Sequence, residues 1–283
     1  MRPALLLLTD SRLPAGGHAH SGGAERAVAS GAVHDVPSLA HFLRGRLRTA
    51  GTVAAALTAA SCAHASCIGD AGAVSWETLD VSWEALDAEV DARTASPAQR
   101  EASRTQGRLL LRVARRIWPS PVLDELARAI PSPHHPLALG AAAHAAGVTP
   151  EEAALAAAYH AVTGPATAAV RLLGLDPVAV HAVLAGLDSD LTAVATRACL
   201  PSGFTSDAGP ASGRTTDATQ TGPASGRTTD GSRADRASGA GPSTIADPFA
   251  ALAALEALPA CSAPALDLLA EQHARAEVRL FIS

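Results

Sequence analysis

The chain has 283 residues and a formal net charge of −5, enough length for one large domain or two small ones. All 22 basic residues are Arg, and the acidic balance speaks against nucleic acid, whose binders carry a basic excess or stripe. Abundant Ala with three Trp, one Tyr and four Phe favours helices, because Ala loses no side-chain entropy on joining one.

Four cysteines, Cys62, Cys67, Cys199 and Cys261, are too sparse for a disulfide framework. Leu5 to Leu8 is shorter than the apolar region of a secretory signal. No run approaches the ~20 apolar residues of a membrane span. The expectation is a soluble, cytoplasmic protein with no membrane partner.

Residues 9–27 (TDSRLPAGGHAHSGGAERA) are the densest polar and glycine-rich region. Gly16-Gly17 and Gly22-Gly23 permit positive φ or close backbone approach. Ser21 is expected to cap a helix over 22–31, and Glu25 suits that helix's positive end. His18 and His20 offer imidazoles to Zn, Ni or Cu, but two ligands fall short of a closed site. No Lys exists to complete a phosphate-binding loop.

Pro37-Ser38 precedes an apolar-periodic run through 38–65. Arg44, Arg46 and Arg48 read as its solvated face. Cys62 and Cys67 lie five apart and do not share a helix face, so buried thiols are expected and no metal cluster. VSWETLD at 74–80 is copied as VSWEALD at 81–87, so one Trp of the pair is expected in the core.

Helices follow over 82–93, 97–117 and 121–130, with Arg112, Arg115 and Arg116 on a solvated face. His134-His135, between prolines, read as an exposed loop. Further helices span 136–146, 150–163, 165–173 and 177–198. Thr149-Pro150-Glu151-Glu152 has the order cap, Pro, acids. Asp176-Pro177 and Asp247-Pro248 repeat the device. Gly147 and Gly174 stand where C-terminal caps belong.

Residues 201–247 are built of Gly, Ser, Thr, Ala, Asp and Arg, with GPASGRTTD at 209–217 and again at 222–230. So few large apolar residues cannot offset the entropy of ordering. Helices over 248–257 and 264–278 close the chain, whose apolar end (Leu280, Phe281, Ile282) calls for a burial surface on this chain or a partner.

The fold class is all-α, because no segment alternates with period two. The expected architecture is a single helical-bundle domain of about ten helices. Residues 1–200 form the main body, 201–247 a disordered linker, and 248–283 C-terminal helices and a docking tail of the same domain. No Gly-x-Ser-x-Gly elbow or Cys-His signature is present, and the acids are scattered on helix surfaces.

Leu8 through Glu25 (Leu-Thr-Asp-Ser-x-Leu-Pro-x-Gly-Gly-x-x-His-Ser-x-Gly-x-Glu) resembles the opening signature of the urease accessory protein UreF family. Co-linear matches follow at Glu101-Ala102-Ser103 with Gly107-Arg108-Leu109-Leu110, at His135 to Gly140, at Tyr159, at Ala168 to Leu172, and at Leu266-Asp267, His273, Arg279-Leu280-Phe281 and Ser283. The chain departs from the family's pattern at Ala19, where an aromatic is common, at Gly174-Leu175-Asp176-Pro177 and at His181, where glutamines are common.

The resemblance implies an all-helical, dimerising protein that is not an enzyme. It implies a complex with UreD (UreH in some organisms) and the GTPase UreG that delivers nickel to apo-urease. No cofactor is held tightly; nickel passes in transit, and no metal ligands are assigned. Pro14, Gly16, His20, Ser21 and Glu25 are the implied N-terminal functional element. Tyr159 and Arg171 are the implied GTPase-facing residues, and Leu266, His273, Arg279, Leu280 and Phe281 the implied UreD-docking residues. Two rivals remain on pattern alone: a helical enzyme using the 9–25 loop, and a helix-turn-helix regulator using Arg44–Arg48 or Arg112–Arg116.

Overall fold

The computed structural model describes residues 2–15, 20–69, 81–199 and 258–276. Among them are twelve α-helices, one π-helical turn and no β-strand. In chain order these are α1 (Pro3–Thr9), α2 (Ala24–Ala29), α3 (Val36–Arg46), the π turn (Leu47–Gly51), α4 (Thr52–Gly69), α5 (Trp83–Arg93) and α6 (Pro97–Ile117), then α7 (Pro121–Ala129), α8 (His135–Ala145), α9 (Pro150–Leu173), α10 (Pro177–Ala185), α11 (Asp188–Cys199) and α12 (Pro264–Ala274). The linker at 201–247, the helix expected over 248–257 and the tail from 277 lie outside the described residues.

The centre is α4, which packs chiefly on α8 and α9. Its Ala55, Ala56, Ala59 and Ala65 are buried, as are Ala138, Ala141, Ala142 and Ala143 of α8. Small side chains let the two helices approach closely. A Cβ on Gly140 would lie 2.5 Å from the Thr58 carbonyl oxygen, so no larger residue fits there. Leucines fill the space around this Ala seam, with Leu39, Leu43, Leu47, Leu123, Leu126, Leu137 and Leu139 fully buried.

Local chemistry sets the helix ends. Asp35 and Ser38 form a reciprocal capping box on α3, and Thr149 with Glu152 forms another on α9. Ser82, Ser96 and Asp176 cap α5, α6 and α10 through their side-chain oxygens. Gly174 closes α9 at φ 63°, a left-handed conformation that costs Gly nothing. The Ser21 hydroxyl does not cap α2. Gly23 at φ 87° is the N-cap residue, and the Ser21 main-chain carbonyl accepts from Ala24 N instead.

Several boundaries differ from the sequence reading, among them α2, which spans Ala24–Ala29 and not 22–31, and α12, which ends at Ala274 and not 278. Residues 3–9 form a helix begun by Pro3 and pinned by Arg2 to the Gly147 carbonyl. The run 38–65 starts two residues earlier, at Val36, and is interrupted by the π turn. The run 177–198 breaks at Gly186–Leu187, so that α10 and α11 are bent by 45°. Conversely, 150–163 and 165–173 are one helix running through Pro165.

No single described helix is long and apolar enough to cross a membrane. The bent pair α10 and α11 would pass by length and composition, but α11 is packed on α9 and α4.

Candidate functional site

Pro165 explains much of the site. A proline has no N–H, so the carbonyl of Ala161, four residues earlier, loses its helical donor. Arg46 supplies one: its Nε donates to the Ala161 oxygen at 2.9 Å. The Arg46 guanidinium therefore turns inward and is no part of a solvated face. Burial pulls its pKa down to about 10. Gly22, at φ 56°, closes the joint. A Cβ there would meet Pro165 Cγ at 2.9 Å and Arg46 Cζ at 3.1 Å.

Two cavities of about 360 and 280 Å³ lie on either side of this joint, and both are lined by His20, Gly22, Arg46, Gln106 and His135. The first extends to Leu266 and Asp267 of α12, the second to His160, Thr163 and Arg171 of α9. His135 and His160 face each other with ring centroids 6.0 Å apart. Burial, reinforced by His160 and His20, pushes His135 down to about 3, and burial pushes His160 down to about 4. Both imidazoles are neutral at neutral pH.

The loop reading of His134-His135 is thus overturned. His134 is wholly buried, and its Nε2 lies 2.9 Å from Asp91 Oδ1. Asp87 accepts from the His134 backbone N–H at 3.1 Å. Arg104 bridges both carboxylates, at 2.8 Å to Asp87 and 2.7 Å to Asp91. Burial raises the Asp91 carboxyl, but the His134 hydrogen bond and the charges of His134 and Arg104 outweigh it and hold Asp91 below its usual range. Sequence reasoning missed this knot, having placed the acids on helix surfaces. Asp87 and Asp91 share a face of α5 at i, i+4, which was visible; their partners on α6 and before α8 were not. The three ligand-type groups are close enough for a cation, but the Arg104 guanidinium already occupies the carboxylates.

The other site residues divide by position. His20 and Ser21 are buried, while Pro14 is exposed. Glu25 lies 3.6 Å from His273 of α12, joining the N-terminal element to the C-terminal helix. Leu266 and His273 are buried where α12 packs on α2 and α6, and Leu268 on the same helix is 63% exposed. Glu271 holds α12 to the start of α6, accepting from Ser96 Oγ at 2.5 Å and Ala98 N at 2.9 Å. Tyr159 and Arg171 are exposed on α9. Gly16, Arg279, Leu280 and Phe281 lie outside the described residues.

Cys62 is a buried thiol directed at the Val148 carbonyl, raised to about 12 by burial and then by Cys199. That suits packing and not metal ligation.

The model of the UreF family matches residues 33–188. The chain belongs to the UreF family. Urease accessory protein UreF of Mycolicibacterium vanbaalenii (strain PYR-1) is 49% identical over 179 residues, 63% of this chain and 77% of that protein. Its namesake from Mycobacterium sp. (strain JLS) is 50% identical over 183 residues, 65% and 78% of the two chains. That of Mycobacterium marinum is 42% identical over 196 residues, 69% and 84%. As a UreF protein the chain is an accessory protein and not an enzyme. The span matched by the family model contains Arg46, His135, Tyr159, His160 and Arg171; the 9–25 element and α12 fall outside it.

Proposed function

We propose that this UreF protein is a scaffold in nickel insertion. It joins UreD and the GTPase UreG, forms a homodimer, modulates the GTPase, and delivers nickel to apo-urease in the cytoplasm. The observation that carries the reading is the set of α12. One face is anchored by Leu266, Ala270 and His273, and the apolar Leu268 is left pointing out. A helix held firmly to its own body while presenting an apolar side chain is suited to docking, and it leads directly to Arg279-Leu280-Phe281. In this reading Leu266 and His273 position the docking element and Leu268 with the tail contacts UreD.

Tyr159 and Arg171, exposed on α9, belong to the surface that receives UreG. Of the N-terminal element (Pro14, Gly16, His20, Ser21, Glu25), His20 lines both cavities and Glu25 reaches His273 of α12. Nickel is cargo here. The neutral imidazoles of His135 and His160 can exchange a passing ion without closing a four-ligand site around it. The inward turn of Arg46 removes the middle of the Arg44–Arg48 row, which weighs against a DNA-reading helix.

The test is a pull-down with the host's UreD. Leu268→Asp is expected to lose UreD while the thermal melt moves little, since exposed substitutions usually stay within about 0.5 kcal/mol. Deleting 264–283 is expected to abolish binding while the main body keeps its helical content. Wild-type affinity in both variants would reject the docking role.

A further inference from the structure

Arg46 has more donors than its structural task uses. A guanidinium carries five N–H groups, and the Ala161 carbonyl takes one of them. Among the described residues no carboxylate lies within 4.0 Å of Arg46, and no hydrogen-bond partner is present for Nη1 or Nη2. Arg46 is partly buried, and with no counter-charge beside it the free part of its guanidinium is available to pair with an anion. Arg46 also belongs to the wall common to both cavities.

The neighbours are donors as well. Gln106 lines both cavities, and its side-chain amide has no partner among the described residues. The neutral His135 ring on the same wall carries one N–H. The two acids that line the cavities are already engaged: Asp267 accepts from Gln99 at 3.0 Å, and Asp10 accepts from Arg12 at 2.7 Å.

We infer that the wall between the cavities is a binding site for a small oxyanion, held by the Nη1/Nη2 fork of Arg46 with Gln106 and His135 as neutral donors. A planar fork of parallel N–H groups matches two oxygens of one carboxylate or phosphate. Volumes of about 360 and 280 Å³ admit such an ion in either cavity. The ligand is a free ion of a size that either cavity holds.

The experiment uses inorganic phosphate as the probe, titrated at constant ionic strength against the full chain, with melting temperature as the readout. The wild-type melting temperature is expected to rise and saturate, as it must for a ligand that binds only the folded state. Arg46→Gln would also orphan the Ala161 carbonyl, so it is made in a Pro165→Ala background, which restores the missing N–H to α9. Pro165→Ala alone is expected to keep the saturable rise. Pro165→Ala with Arg46→Gln is expected to lose it, through an affinity loss of roughly tenfold or more for a charged hydrogen-bonded pair. Equal responses in the single and double variants, or no saturable rise in the wild type, would overturn the site and leave Arg46 a purely structural residue.

Discussion

Arg46 and Pro165 are separated by 119 positions, yet each explains the other. The proline leaves one carbonyl without a donor, and the arginine satisfies it. Sequence alone gave the proline its ordinary meaning, a helix break, because the remote donor is invisible in the chain's order. Gly140 shows a second kind of residue-scale constraint. Its missing Cβ allows α8 to meet the backbone of α4, so Gly140→Ala is expected to destabilise the protein by roughly 1–3 kcal/mol through overpacking, read as a lower melting temperature.

Three partly buried histidines set a pH dependence. His64, His135 and His160 are held at about 4, 3 and 4, chiefly by burial. An unfolded chain titrates these groups near 6.5, so below that pH it binds more protons than the native protein. Stability is therefore expected to fall as pH drops from about 6.5 towards 4, above the range in which most carboxylates titrate. Each such histidine contributes on the order of 1–2 kcal/mol to the loss at pH 5. His160→Gln is expected to flatten the melting-temperature profile between pH 6.5 and 5; an unchanged slope would mean that His160 is solvated and protonates freely.

At the scale of elements, legibility followed local chemistry. Residues 97–117 read as a helix and are one, because Ser96 caps it, Pro97 starts it and the chain reaches Trp118-Pro119 at its end. The capping box at Thr149 and the Asp176 cap were equally local and equally legible. Helix α1 was not, since four consecutive leucines show no 3.6-residue period, although only Leu5 and Leu8 turn inward. The π turn at 47–51 escaped for a related reason: an extra residue in a helical turn shifts the pattern without interrupting it. The duplicated heptad was half legible. Trp83 is buried edge-on against His64 at 4.5 Å, while Trp76 lies outside the described residues. Of the residues that line the cavities and their link to α12, only some were legible, and their geometry was not. His20, Glu25, Leu266 and His273 were singled out, yet their meeting across α2 and α12 joins the two ends of the chain. Arg46, Gln106 and the Asp87–Asp91–Arg104–His134 knot had no signal in spacing that distinguished them from surface charges.

For the whole molecule, an Ala-lined seam at α4, α8 and α9 forms the centre, with α2 packed on α9 and α12 packed on α2 and α6. The low-complexity tract joins this body to α12. Deleting 205–244 is expected to change stability by less than ~1 kcal/mol, because loop-closure entropy varies slowly with length; a large fall in melting temperature would show that the tract contributes packed structure. The scaffold reading itself is tested most directly by co-purifying this UreF protein with its host's UreD and UreG and measuring the mass of the product by light scattering. A stoichiometric three-protein complex containing two copies of this chain is the expected result. Three folded proteins that elute separately would contradict it.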